Sequence, residues 1–291
     1  MIPEFLKKRL EKYYDEDTIL DITNSYSNNR YSSLRINTIK CNKEEFIQFL
    51  KDNQIEYKEV KWSPYALIIN NIEKVKESNF YKEGKIYLQS LSSQIPPIIV
   101  DPKKNEQILD MTAAPGGKTT ELAALSNNQA MITATEKNKI RYDRLQYNIE
   151  KQGAKKVTIL KEDARSLNEY FLFDKILLDA PCSGSGTLNM NEMNKISEDL
   201  INRSIQTQKE LIKEAIKHLK TNGELIYSTC SILKEENEEI IKEVLNYMEL
   251  IPIHMDNLET LPSLEGTITI KPNEFYEGFF VAKLRKIKTS D

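Results

Sequence analysis

The sequence predicts an α/β protein: a doubly wound, mostly parallel sheet preceded by a small α+β unit. Three observations carry that expectation. From Gln107 onward, short apolar runs alternate with amphipathic segments, the pattern of βαβ units. Before Ser90 the elements are shorter and mixed in type. Finally, the apolar runs end in chemically capable side chains, namely Asp110, Glu136, Asp163, Asp179 with Cys182, and Thr229 with Cys230. Ligands of open parallel sheets bind at those carboxyl ends.

The elements follow in order. "PEFLKKRLEKYY" has a helical pattern and "YSSLRINTI" reads as a strand. "CNKEEFIQFLKDN" predicts a helix, with Asn42 as cap and Glu45 completing a capping box. "YALIIN" and "KIYLQS" predict two further strands. The paired prolines of "SSQIPPIIVDP" disfavour continuing either element, which places the domain boundary there. Residues 1–92 are then an N-terminal α+β domain and residues 93–291 the main domain. In the latter, "QILDM", "AMITATE", "KVTILKED", "DKILLDAP", "GELIYSTC" and "GFFVAKL" read as strands. "KTTELAALS", "KIRYDRLQYNIEKQG", "SIQTQKELIKEAIKHLK" and "KEENEEIIKEVLNYM" read as helices between them.

Composition narrows the classes of function. The 291 residues suffice for one large domain, or a large one and a small one. No apolar run approaches the roughly 18 residues of a membrane span, and the N-terminus has no signal-peptide core, so a soluble cytoplasmic protein is expected. Three scattered cysteines fit a reducing compartment, and two histidines without a CxxC pair argue against a metal site. A net charge of -3 gives no overall basic signal, so a nucleic-acid partner would need a local basic face. A monomer is expected.

"DMTAAPGGKTTEL", Asp110 to Leu122, nearly spells a phosphate-binding loop. Such a loop needs G-x-x-x-x-G-K-[ST], because its backbone N–H groups wrap the phosphates. Thr112 stands where the first glycine belongs, and Pro115 removes a donor. The other reading is a loop for an adenosine-containing ligand. Gly116 and Gly117 permit close approach, and an acid ending the next strand bonds ribose hydroxyls. Glu136 fills that position, and Asp163, ending the third strand, is placed to meet an adenine amino group. Each acid alone would read as a helix cap; with the loop they favour a ligand. The absence of a hydride-transfer signature and the presence of two well-placed thiols favour S-adenosylmethionine over a dinucleotide.

Those thiols are Cys182 in "LLDAPCSGSG" and Cys230 in "LIYSTCSIL". Most cysteines are small buried hydrophobes, and Cys41 is left with that role. Cys182 and Cys230 instead sit where the ligand cleft should be. A thiol beside a methyl donor suits methylation of a pyrimidine at C5. A thiolate added at C6 makes C5 nucleophilic, and a second group must later remove the C5 proton. Asp179 is in range to stabilise charge on the ring.

"DMTAAPGGKT", "DAPCSGSGT", "YSTCSILKEENE", "LRINTIK", "YLQSLSSQIPP" and "EGFFVAKLRK" together resemble the Nop/Sun family of RNA 5-methylcytosine methyltransferases, of the bacterial RsmB/RsmF type. The resemblance spans Arg35 to Lys286. It implies a Rossmann-like S-adenosylmethionine methyltransferase sheet with an RNA-recognition-like N-terminal domain. It implies Cys230 as nucleophile, Cys182 as the residue assisting product release, and Asp179 at the reaction centre. It further assigns the methionine part of S-adenosylmethionine to Thr112, Ala113, Ala114, Pro115, Gly116, Gly117 and Lys118. Glu136 is assigned to the ribose and Asp163 to the adenine. Arg141 and Asn148 match a family Arg and Asn. Arg141 either closes over the cofactor or forms an exposed salt bridge. Lys118 reaches the target base or the cofactor carboxylate, or is a solvated first-turn lysine. The chain departs from the family at Thr112, usually Cys, and in "TIKPNEFYEGFF", where many members carry Pro-His.

The expected partner is RNA, either tRNA or rRNA, with the target cytosine flipped out of its stack. Backbone contacts are sought at Lys7, Lys8, Arg9, Arg30, Arg35 and the tail "KLRKIK", with Arg35 favoured. Two alternatives were weighed. A non-catalytic RNA-binding assembly factor is disfavoured by the retained cysteines, and a P-loop ATPase by Thr112 and Pro115.

Overall fold

A computed structural model describes residues 2–287 of the chain. Helices α1 (Glu4–Leu10) and α2 (Glu16–Ser25) come first, and Asp15 caps α2 by accepting from the Thr18 N–H. There follow β1 (Ser32–Ile36), α3 (Lys43–Asp52), β2 (Tyr57–Val60), β3 (Ser63–Ile69), α4 (Ile72–Glu77), α5 (Asn79–Lys82) and β4 (Ile86–Leu88). The sheet they form is antiparallel in the order β2-β3-β1-β4, the β-α-β-β-α-β arrangement expected of this unit. Asn42 flanks α3, but its side chain makes no capping bond. Glu45 instead accepts from Lys85, so the predicted capping box is not formed.

The two prolines do not end an element. Helix α6 (Leu91–Val100) runs through Pro96 and Pro97. A proline frees the carbonyl four residues earlier, and the one freed by Pro97, on Ser93, accepts from the Gln89 side chain at 3.0 Å. The donor the helix lacks thus comes from the residue just before its own N-cap.

The second sheet contains β5 (Gln107–Asp110), β6 (Met131–Thr135), β7 (Val157–Leu160), β8 (Phe173–Asp179) and β9 (Leu219–Thr229). Helices α7 (Gly117–Leu125), α8 (Lys139–Gln152) and α9 (Glu198–Lys217) connect these strands. A short α10 (Glu238–Lys242) precedes β10 (Met248–Ile251), β11 (Thr260–Leu261), β12 (Ile268–Ile270) and β13 (Phe279–Lys286). The order is β11-β12-β13-β9-β8-β5-β6-β7, with β10 on β13. Strands β5 to β9 are mutually parallel, and β13 is antiparallel to β9. The chain reverses direction across the sheet between β5 and β8, so the ligand crevice falls at Asp110 and Asp179.

"KEENEEIIKEVLNYM" does not form the long amphipathic helix its spacing predicts. It breaks into a single turn at Lys234–Glu236 and the five-residue α10. Glu236 and Asn237 turn inward to bond the loops after β8 and β9, and a continuous helix could not satisfy both.

The N-terminal helices pack away from the N-terminal sheet. Leu6, Leu10, Tyr14, Ile22 and Tyr26 form one apolar cluster with Leu188, Ile201, Ile232 and Leu233 of the larger unit. Burying each large side chain is worth about 1.5–3 kcal/mol, so this contact fixes the first 26 residues beside the β8 and β9 loops. Among the described residues no helix is long and apolar enough to cross a membrane.

Candidate active site

Strand β5 ends in Asp110, whose carboxylate accepts from Thr119 Oγ1 at 2.7 Å; burial pushes its pKa up to about 6. The loop beyond it is pinned by Met111 N–H to Leu177 O and by Ala113 N–H to Thr135 O. The Ala114–Pro115 bond is cis. Arg141 Nη2 donates to Ala114 O and Asn148 Nδ2 to Pro115 O, both at 2.8 Å. The loop therefore turns carbonyls toward α8 rather than wrapping an anion with N–H groups, which removes the P-loop reading. Gly116 adopts φ +104°, and a Cβ there would lie 3.0 Å from Leu145 Cδ1, so glycine is required.

Glu136, only 6% exposed, accepts from the Asn138 N–H at 2.8 Å and lies 3.3 Å from the Arg141 guanidinium. It is not the α8 cap; Asn138 is. Arg141 thus holds both the loop and the acid expected at the ribose. Asp163 does cap, accepting from the Arg165 N–H. Its carboxylate also takes Arg165 Nε at 2.9 Å, Arg165 Nη2 at 2.6 Å and Lys137 Nζ at 3.1 Å. Hydrogen bonding to Arg165 holds Asp163 well below the usual carboxylate range.

Two clefts meet at Thr112. One, of about 410 Å³, is lined by Met111, Glu136, Asp163, Pro181 and Leu211 among others. The other, of about 600 Å³, is lined by Tyr87, Gln89, Ser93, Lys118 and Asp179 among others. Met111, Pro181 and Leu211 beside the buried Glu136 carboxylate suit a nucleoside, so the residues present fit S-adenosylmethionine.

Lys118 is no solvated lysine. Its Nζ donates to Asp179 Oδ2 at 2.7 Å and to Ser93 Oγ at 2.8 Å, with a side chain 13% exposed. Burial alone would lower its pKa, but the Asp179 carboxylate holds the ammonium above the ordinary lysine range. Asp179 Oδ1 accepts from Ser228 Oγ, and its backbone oxygen accepts from Thr112 Oγ1, both at 2.8 Å. The hydroxyl at position 112 thus braces the strand carrying Asp179.

Cys182 and Cys230 come together with Sγ atoms 3.1 Å apart, hydrogen-bonded and unlinked. The Cys182 thiol is pushed well above its ordinary pKa, first by its hydrogen bond to Cys230, then by burial, then by the Cys230 and Glu236 charges. Cys41 lies apart in the N-terminal core, its thiol raised to about 11 by burial, as its bland reading predicts.

Behind the thiols lies Glu236, fully buried. It accepts from Ser183 N–H at 2.7 Å and Ser183 Oγ at 2.6 Å, and from Ser231 Oγ. Asn237 accepts from Thr229 Oγ1 and donates to Ser231 O. Gly186 N–H donates to Cys230 O at 3.0 Å, closing the two loops on each other.

Several expected RNA contacts are structural. Arg35 is 3% exposed and donates to Gln89 Oε1, Gly117 O and Thr120 Oγ1, so it bolts β1 to α7 instead of facing RNA. Arg9 pairs with Glu235, and Arg30 donates to Gly186 O and Thr187 O. In the tail, Lys283 and Arg285 pair with Glu224, and Lys286 donates to Ile216 O and Leu219 O; Lys288 lies outside the described residues. Lys7 and Lys8 make only exposed pairs with Glu11 and Glu4. Ser93, Gln89, Ser228 and Glu236 were not singled out from sequence. Only the "KEENE" run, an acidic stretch abutting a cysteine motif, offered a signal.

Comparison with known proteins identifies the family and the fold. Residues 97–285 match the family model for the 16S rRNA methyltransferase RsmB/F, and residues 2–76 match the RsmF/B-like ferredoxin-like domain. The chain is 33% identical over 273 residues to ribosomal RNA small subunit methyltransferase F of Shewanella woodyi, covering 88% of this chain and 57% of that protein. It is 34% identical over 271 residues to the Vibrio atlanticus protein of the same name, again covering 88% and 57%. The chain thus spans a little over half the length of these relatives. A methyltransferase homologue from Pyrococcus horikoshii superposes with a TM-score of 0.88 at 30% identity, over 98% of this chain and 95% of that one. Fold, N-terminal domain type and sequence motifs therefore agree, and the chain belongs to the RsmB/F family of RNA methyltransferases.

Proposed function

We propose that the protein is an RNA (cytosine-5-)-methyltransferase that uses S-adenosylmethionine and a covalent cysteine–C6 intermediate. The observation carrying this reading is the pair of thiols 3.1 Å apart beside the Lys118–Asp179 ion pair. Amino-group methylation has no use for such a pair. Residues 1–92 would serve as the RNA-binding domain and 93–291 as the catalytic one. The relatives' name favours RNA of the small ribosomal subunit as substrate.

S-adenosylmethionine, when bound, supplies the electrophilic methyl group. Glu136 would hold its ribose, the Asp163 end of the cleft its adenine, and residues 112–118 its methionine part. The Cys230 sulfur, as thiolate, adds to C6 of the cytosine. Asp179, oriented by Ser228 and Lys118, lies at the N3 edge of the ring, and the Lys118 ammonium supplies through it the proton that N3 takes up as C6 is attacked and returns once C5 is methylated. A base in the cleft then takes the C5 proton, the C5–H electron pair re-forms the C5=C6 double bond, and the C6–S bond breaks with its pair on the Cys230 sulfur, which leaves as thiolate. Cys182, in contact with that sulfur, assists this release.

The hydrogen bond to Cys230, burial and the nearby Glu236 carboxylate hold Cys182 as a thiol, which supports the assignment of Cys230 as nucleophile that the resemblance implies. The test is transfer of labelled methyl groups to RNA, with bisulfite sequencing of rRNA and tRNA to place the product. Cys230→Ala should abolish transfer, and Cys182→Ala should accumulate a protein–RNA adduct. Methylation by Cys230→Ala would refute this division of roles.

A further inference from the structure

We propose that Glu236 is a positioning residue whose single carboxylate sets the gap between the two catalytic thiols. The inference rests on the activity proposed above, but its geometric part can be tested without it. Ser183 directly follows Cys182, and Ser231 directly follows Cys230. Glu236 bonds both serines, taking two donors from Ser183 and one from Ser231. The two Cys-Ser pairs, 48 positions apart in sequence, are thereby clamped to one buried atom group.

Three further contacts show that the clamp is a designed junction. Ser185 Oγ and Ser231 Oγ lie 2.8 Å apart, and Ile232 N–H donates to Ser185 Oγ at 3.0 Å. Gln208 Nε2 donates to Pro181 O at 2.9 Å, steadying the approach to Cys182 from α9. Every donor near Glu236 belongs to a thiol-bearing loop or to a residue bracing one. The carboxylate touches neither thiol, so it is not a catalytic group.

The clamp acts unequally. Cys230 continues directly from β9, whose pairing with β8 and β13 fixes its backbone without help. Cys182 lies beyond the end of β8 in a loop with glycines at 184 and 186, and of the four bonds to the Glu236 carboxylate two come from its neighbour Ser183, against one from Ser231 and a long one from Gln208. Loss of Glu236 should therefore displace Cys182 more than Cys230. Attack by Cys230 would survive in large part while product release slows. A general packing role would lower both steps together.

Two readouts decide the matter. Phenylarsine oxide bridges thiols that lie close together and needs neither RNA nor S-adenosylmethionine. The wild type should bind one equivalent through Cys182 and Cys230, and Glu236→Ala should weaken that binding at least tenfold. In turnover with substrate RNA, Glu236→Ala should accumulate the adduct seen with Cys182→Ala. Glu236→Gln should recover most of the release, because its amide oxygen can still take the Ser183 N–H while the serine hydroxyls rotate to accept. Should Glu236→Ala fail to fold, Ser183→Ala with Ser231→Ala removes the hydroxyl contacts and leaves the acid in place, and the same two readouts apply. Arsenical binding equal to wild type in the folded variant overturns the clamp. Equal slowing of adduct formation and release overturns the positioning role. A wild type that binds the arsenical but methylates no RNA would instead refute the activity and leave the clamp standing.

Discussion

Replacing Arg35 with methionine separates a structural bolt from an RNA contact, and the pH dependence of the outcome follows from its partner. Arg35 makes three hydrogen bonds, at 2.9, 2.9 and 2.8 Å, and lies 3.6 Å from the buried carboxylate of Glu121. Burial pushes Glu121 from 4.5 up to about 8. Near pH 5, Glu121 is protonated in both proteins, so Arg35→Met loses only hydrogen bonds, about 1–3 kcal/mol. Near pH 9 the wild-type acid is ionised, whereas in the variant, without the cation that lowers its pKa, it stays protonated, so the loss grows by at most about 1.4 kcal/mol, to about 2–4 kcal/mol. At roughly 2–4 °C per kcal/mol, the melting temperature should fall by about 2–12 °C in acid and by about 4–16 °C in base. Thermal denaturation across that range, with RNA affinity followed against salt, is the assay. An unchanged melting temperature, with a salt slope reduced by about one charge, would show that Arg35 meets RNA and that the bolt is wrong.

Three more outcomes can be checked. In wild type the raised Glu121 pKa means the folded state holds a proton that the unfolded chain releases, so stability falls as pH rises between 4.5 and about 8; Glu121→Gln should flatten that slope in melting curves. Gly116→Ala, at φ +104° and against Leu145, should weaken S-adenosylmethionine binding by about tenfold or more in calorimetry, corresponding to roughly 1–3 kcal/mol of strain. Lys286→Met strips the buried donors from Ile216 O and Leu219 O, so it should lower stability by about 1–3 kcal/mol in urea titrations and leave RNA affinity unchanged.

Strands β5 to β9 were legible because each is a short apolar run and buried parallel strands read that way, and β13, though antiparallel, is apolar through "GFFVAKL". Short β10, β11 and β12 were not, since two to four residues carry no period. Helix α6 was hidden because paired prolines read as a break, although Gln89, just before the helix, supplies the donor for the carbonyl that Pro97 frees. In the site, the cysteines and Asp179 stood out by their place at strand ends, and Lys118 by the near phosphate-loop spelling around it. Arg35 matched a motif, but a motif records that a residue is needed and not which way it faces. Glu236 was masked by its neighbours: a run of acids reads as a solvated helix face, and only the fold turns one of them inward.

The packing of α1 and α2 against the β8 and β9 loops bears on how the protein is made. Tyr13 Oη bonds Glu239, 226 positions later, and Tyr14 Oη bonds Ile232 O, 218 positions later. During synthesis these helices emerge first and then wait, their apolar faces uncovered, until most of the chain has been translated. Contacts so distant in sequence form late, and the residues behind the thiols are among the last to be braced. A nascent or truncated chain would therefore carry both cysteines without holding them together. Thiol pairing is then a property of the finished chain, and an arsenical added to stalled ribosomes should mark when it is acquired.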